Sequence, residues 1–204
     1  MFTLKISGLF NRGLVNGIIS AILSAVVITS TYSPTVFAKQ VPDDKLIPVD
    51  IRRTTFIVND AEKSLKLYRD ALGLKVIYDQ MIESPMANGE TRKRRLVLLR
   101  ANDDFIGAIG ILEYIHPLKP QRKEQFDEPV PGDPIIVINA KDLDKRWPSI
   151  AKSPGVNVID APDVVHYPRA NGDKISVNVS MIRDPDGYWL EINQLLDKPA
   201  SEKD

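Results

Sequence analysis

The 204-residue chain has no cysteine and only two histidines, His116 and His166. Without cysteine there is no disulfide, no thiolate-held zinc, no iron–sulfur cluster, no thiol nucleophile and no lipid on an amino-terminal cysteine. Two imidazoles cannot build a three-histidine metal centre within one chain. Neither sign of charge is in excess, with 27 Lys and Arg against 27 Asp and Glu. That argues against a nucleic-acid partner, because a general nucleic-acid binder needs a basic surplus. Hydrophobic residues at 43% against 26% charged exclude whole-chain disorder and allow a proper core. Long apolar runs are missing everywhere except near the N-terminus.

The exception lies in residues 1–38, which carry Lys5 and Arg12 and no acid. Residues 14–29 are almost wholly apolar, and the small Val36 and Ala38 stand where a signal peptidase needs them. The segment reads as a signal peptide cleaved after Ala38, delivering a periplasmic or secreted protein that keeps no stable hold on the membrane. The competing reading, an uncleaved anchor, is disfavoured because Asn16 and Gly17 interrupt the run and a spanning helix wants about 20 apolar residues. Lys5 and Arg12 leave with the leader, so the mature chain carries 25 basic and 27 acidic residues. Residues 39–50 read as an extended lead-in and 198–204 as a polar tail.

The remainder reads as one motif used twice. Residues 51–58 are β-branched and aromatic, a strand signal. Asp60 is a good N-cap for a helix whose Ala61, Leu65, Tyr68 and Leu72 recur at helical spacing, and Gly73 stands where a helix ends. Strands are expected at 75–80, 92–100 and 108–116, with a loop at 83–91 around Pro85 and Asn88-Gly89. A charged, proline-rich linker, 117–134, follows. Then come a strand at 135–139, a helix from Lys141 to about Lys152 that is kinked or starts late because of Pro148, a short strand at 156–160, an alternating strand at 175–181, a type I turn at Asp184-Pro185-Asp186-Gly187 and a last strand at 188–194. Asp60 and Asp142 begin equivalent helices 82 residues apart, and Glu113 and Glu191 stand in equivalent last strands 78 apart. The two near-equal offsets suggest a duplicated βαβββ module.

Two phrases carry a resemblance. Thr55-Phe56-Ile57-Val58-Asn59-Asp60-Ala61 running into Leu67-Tyr68-Arg69-Asp70-Ala71-Leu72-Gly73-Leu74-Lys75-Val76 is one, and Arg183-Asp184-Pro185-Asp186-Gly187-Tyr188-Trp189-Leu190-Glu191-Ile192 is the other. In both, the chain resembles the vicinal oxygen chelate superfamily of glyoxalases, bleomycin-resistance proteins and extradiol dioxygenases. The resemblance implies an α+β fold over residues 51–197. Modules at 51–116 and 135–197 would pair into a curved mixed sheet around a cleft. It does not name a reaction, because one fold hosts many sites.

Metal-dependent members of that family hold a divalent ion with residues of the first and last strands of each module, commonly two His and one or two Glu. Carried over, the last-strand acids fall at Glu113 and Glu191. The first-strand histidine positions fall at Arg53 and at about Ile135, or at Pro134 or Asp133 if the register slips. Both carboxylates are therefore present and both histidines absent. No cofactor is expected; a retained divalent metal would sit on Glu113 and Glu191, which are also the candidate catalytic carboxylates. Glu113 shares its face with Ile109, Ile111 and Ile115, an apolar setting that demands a partner. Arg53 is the expected partner, either as a structural ion pair or as the anchor of a carboxylate-bearing ligand.

Other candidates are weighed against plainer roles. His166 and Trp189 are candidate ligand contacts, with surface exposure and core packing as the alternatives. His116, three residues from Glu113, falls on the opposite face of an unbulged strand and reads as a rim residue. Arg92-Lys93-Arg94-Arg95 reads as a solvated edge, with anion attraction as the alternative. Asp184-x-Asp186-Gly187 lacks the later ligands of a calcium loop.

The leading expectation is an exported small-molecule-binding protein without a histidine-based metal centre. The alternatives are a divalent-metal-dependent lyase, isomerase or dioxygenase of the same superfamily, and a non-catalytic interaction module. A homodimer is compatible with family habit. Intact-mass measurement on protein recovered from the periplasm or medium is expected to show a chain starting at Lys39; a chain retaining Met1 in the membrane fraction would establish the anchor instead.

Overall fold

The computed structural model describes residues 42–121, 126–168 and 174–197. The leader and the polar tail lie outside the described residues. The chain divides into two compact units between Ile47 and Pro48. In the first, Asp43–Lys45 form a 3₁₀ turn within what the sequence reads as an extended lead-in. No helix among the described residues is long and apolar enough to cross a membrane.

The second unit holds two four-stranded mixed sheets. In the first module, β1 (Arg53–Val58) precedes helix α1 (Ala61–Leu65), and β2 (Lys75–Pro85), β3 (Thr91–Arg100) and β4 (Ala108–His116) follow, in the spatial order β1-β4-β3-β2. The second module repeats this with β5 (Ile135–Asn139), α2 (Leu143–Ala151), β6 (Asn157–Pro168), β7 (Lys174–Arg183) and β8 (Trp189–Leu195), in the order β5-β8-β7-β6. The opening strand of each module pairs in parallel with its last strand, which requires a crossover, and the helix supplies it.

Several elements differ from the sequence expectation. β2 continues through residues 83–85 and β6 through Pro168, because each is paired along its length by a neighbouring strand, and pairing overrides weak local propensity. The run Arg92–Arg95 is not an edge: β3 lies between β2 and β4. After Leu65 the helix widens into a π-helical turn, Lys66–Ala71, in which Leu72 N–H reaches Leu67 O at 2.9 Å. The wide turn carries Leu67, Tyr68 and Ala71 all into the core. α2 starts at Leu143 and runs through Pro148.

One continuous core lies under both modules, from Phe56, Val58, Leu65, Leu67 and Tyr68 to Leu143, Ile150, Ile182, Leu190 and Ile192. Polar groups lock the modules together over it. Arg146 of α2 donates from Nη1 to Leu72 O at 3.0 Å, capping the end of the first helix beside Gly73. The φ of Gly73, +78°, favours glycine, and a Cβ there, 2.7 Å from that same nitrogen, would push the Arg146 head off Leu72 O.

The β7–β8 turn is the second lock. Gly187 N–H bonds Asp184 O, as a type I turn requires. Asp184 Oδ1 accepts from the backbone of Asp186 and Tyr188, both at 2.9 Å. Its Oδ2 accepts from the buried Tyr68 hydroxyl of the first module at 2.8 Å. Asp186 accepts from Asn59 and Ser64, and the Tyr188 hydroxyl bonds the backbone of Ile57 on the open edge of β1. Phe56 packs between Tyr68 and Tyr188.

Burial raises the Asp184 carboxyl to about 6, against hydrogen bonds from Tyr188 and Tyr68 that pull it down. The same burial and the facing carboxylate hold the Tyr68 phenol well above its usual value. The folded state thus holds the Asp184 proton at pH values where the unfolded chain has lost it. This group's contribution to stability is therefore greatest below about pH 4 and falls as pH rises through 6, by roughly 3 kcal/mol in all. Tyr68→Phe keeps the ring stacking but leaves Oδ2 buried without its donor. We expect a loss of about 1–3 kcal/mol in urea denaturation, larger at pH 8 than at pH 5, because the lost bond favoured the charged form. An equal loss at both pH values would contradict this account.

Candidate functional site

Each sheet has a face covered by helices and a face turned away from them. Phe56, Val58, Ile109 and Ile111 mark the covered face of the first sheet. By alternation and register, Arg53, Thr55 and Ile57 of β1 share the open face with Ala108, Gly110, Leu112 and Tyr114 of β4. In the second sheet, Leu190 and Ile192 are in the core. Ile135 and Val137 therefore share the open face with Trp189, Glu191 and Asn193.

The two glutamates are not brought together. Glu113 pairs with Val58 on the covered face, where it accepts from Ala61 N–H at 3.3 Å. Glu191 pairs with Val137 on the open face, where it accepts from Asn193 Nδ2 at 2.8 Å. The reason is a matter of register. Thr55 pairs with Gly110 and Val137 with Glu191, so β1 maps onto β5 with an offset of 82 and β4 onto β8 with 81. The structural counterpart of Glu191 is Gly110. The counterpart of Glu113 is Gln194, which accepts from Leu143 N–H at 3.0 Å as Glu113 does from Ala61. An offset of 78, read from matching residue letters, is odd against 81 and so changes face.

The apolar setting of Glu113 is real, but its partner is the first backbone N–H of α1 rather than Arg53. Arg53 pairs with Ala108, five residues before Glu113 on β4 and on the other face. It is exposed and has no acid within ion-pairing distance among the described residues. The basic residue beside Glu113 is Arg95, whose guanidinium is taken by Asp79 at 2.7 Å and Glu62 at 2.8 Å. Those contacts raise the Arg95 pKa and lower that of Asp79.

His166 pairs with Ser176, on the same side as Asn178, and its Nδ1 lies 3.1 Å from Ser176 Oγ. Glu191 is on the other side. His116 lies at the rim beside Glu90, at 3.3 Å. Trp189 is on the open face but buried: the Arg183 guanidinium covers its ring at 4.2 Å, and Nε1 donates to Asp133 at 3.3 Å. It forms one wall of a cavity of about 320 Å³ with residues 130–134 and Gly187-Tyr188. A second cavity, of about 270 Å³, lies where Ile57, Val58 and Asn59 meet Lys119, Pro120, Gln121 and the β7–β8 turn.

The positions from which relatives ligate a metal can now be tested for fit. They hold Arg53 and Gly110 in the first module and Ile135 and Glu191 in the second. A single carboxylate with no imidazole does not suit a divalent ion that wants four to six ligands. Among the described residues, no three His, Asp or Glu gather in a metal-holding group.

The family model described as "Glyoxalase/Bleomycin resistance protein/Dioxygenase superfamily" matches residues 50–192. No curated protein matches the chain. Among solved structures, a glyoxalase family protein from Bacillus cereus is 14% identical, with a TM-score of 0.55, covering 78% of this chain and all of its own. The trypanothione-dependent glyoxalase I of Leishmania major is 18% identical, with a TM-score of 0.44, covering 72% of this chain and 86% of its own. At 14% identity, the likeness to the Bacillus cereus protein speaks for the fold alone.

Residue roles therefore rest on geometry. If Glu113 serves its helix as Gln194 serves α2, Glu113→Gln should leave stability within about 0.5 kcal/mol of wild type and Glu113→Ala should cost about 1 kcal/mol, both read by urea denaturation. A Glu113→Gln loss as large as that of alanine would show that the charge itself is needed.

Proposed function

Because the chain belongs to the glyoxalase/bleomycin resistance protein/dioxygenase superfamily, we propose that it is an exported binder of a small organic molecule, held on the open sheet faces without a histidine-based metal centre. The observation that carries this reading is the donor set: Arg53, Gly110, Ile135 and Glu191 stand where a metal would need several carboxylates and imidazoles. What those positions offer instead suits an organic ligand. Ile57, Ile135 and Val137 expose apolar side chains, Arg53 offers a planar donor with no acid partner among the described residues, and Glu191 and Asn193 offer an oriented polar pair. Apolar walls with a few placed polar groups are the common make-up of small-molecule sites.

Metal analysis of protein purified without chelator should give far less than one equivalent of any divalent ion, and chelator should not lower the melting temperature. A stoichiometric ion that Glu191→Gln removes would replace this reading with that of a metal-dependent enzyme. In a thermal-shift panel of small organic molecules, a ligand at about 100 times its Kd should add about 2.7 kcal/mol, several degrees for a domain this size. A panel with no stabiliser would favour a non-binding interaction module.

A further inference from the structure

The open face of the first sheet sorts its charges. The carboxylates of its four strands, Asp79, Glu83 and Glu113, all lie on the covered face, by register with Val97, Lys93 and Val58. Arg92 and Arg94 lie on the open face, opposite Ser84 and Ile82 of β2, and Arg94 also pairs with Tyr114 of β4. Lys119 brings a third cation, its Nζ 4.9 Å from the Tyr114 ring centre. Beyond them, along the same face, run Leu96, Leu98 and Leu112, half-buried and unpaired with any charge.

Arg94 is the informative residue. Among the described residues, its Nε is shut off from solvent with no hydrogen-bond partner, and its Nη2 reaches only Ser84 Oγ at 3.4 Å. Arg95, its neighbour in sequence, points to the other face and is fully engaged by two acids. The fold does not demand an arginine at position 94. In the second module the corresponding residue, paired with Leu195 as Arg94 is with Tyr114, is Val177. A guanidinium with no acid partner among the described residues, set beside an apolar strip, is a donor suited to an acceptor from outside.

We propose that this face binds an organic monoanion with an apolar body, its acid group on Arg94 with Arg92 and Lys119 alongside, and its apolar part along Leu96, Leu98 and Leu112. The assignment rests on the small-molecule reading above and adds the chemical class of the ligand. It also places the ligand's head about 20 Å along the sheet from Arg53, which stands at the Ala108 end of β4.

Calorimetric titration with decanoate and with 1-decanol, of equal length, tests it. Decanoate should bind saturably and 1-decanol at least about tenfold more weakly, the loss expected for a charge-assisted contact. Arg94→Gln should reduce decanoate to the level of 1-decanol and leave 1-decanol unchanged, while Lys93→Gln, on the covered face, should change neither. If Arg94→Gln does not fold, as judged by its thermal transition, the Arg92→Gln, Lys119→Gln double variant provides the same reading. Equal binding of the two probes, or wild-type decanoate affinity in the folded variant, overturns the anion assignment and leaves small-molecule binding standing. No binding of either probe overturns the anion assignment as well, and the thermal-shift panel then decides separately whether small-molecule binding stands.

Discussion

The buried bond from Tyr68 to Asp184 is the constraint around which the two modules are arranged. A carboxyl held at about 6 by burial is tolerable only where donors surround it, and these come from both modules at once: two backbone N–H groups of its own turn and one phenol from the other module's helix. The turn brings Asp186 and Tyr188 against the open edge of β1, so an exposed strand edge is closed by side chains instead of another strand. Arg146 on Leu72 O adds a second tie between the modules, one helical turn from Tyr68. Among the described residues the two sheets share no ladder, and these side-chain ties join them over the common core.

The covered faces of the modules are alike and the open faces are not. Ile111 and Ile192, and Glu113 and Gln194, play the same parts in their modules. On the open side Gly110 answers to Glu191 and Arg94 to Val177. Packing demands repeat with the fold, whereas chemistry is written on the side that packing leaves alone. That side divides into a first sheet carrying Arg53, Arg92 and Arg94 and a second sheet carrying Glu191.

Much of this architecture was legible in the sequence. The helix caps at Asp60 and Gly73, the turn at 184–187 and the strands at 108–116 and 135–139 follow from local chemistry that packing does not override. The lengths of β2 and β6 were not legible, since they depend on partners far away in the chain. The site was legible only in part. Arg53 and Glu191 could be placed on the open side, but matching Glu113 to Glu191 by letter gave an offset of 78 where the strands run at 81. Because strand faces alternate, three residues of error turned a helix-capping acid into an apparent site acid. The signal that could have found the error was Gln194, which stands 52 residues after Asp142 as Glu113 stands 53 after Asp60. Arg94 was visible as part of a basic run; its isolation from acids was not, because that depends on which face each neighbour takes.

The junction also divides two turns that are built alike. Asp103 accepts from the backbone of Phe105 and Ile106 much as Asp184 does in its own turn. Solvent surrounds Asp103, and those bonds hold its carboxyl below the usual range, whereas burial drives Asp184 the opposite way. For protein engineering the two turns are opposites. A peptide tag or reporter domain inserted between Asp103 and Gly107 would extend into water and leave both modules docked. The same insertion between Asp184 and Gly187 would have to displace the Tyr68 hydroxyl and split the molecule along its seam.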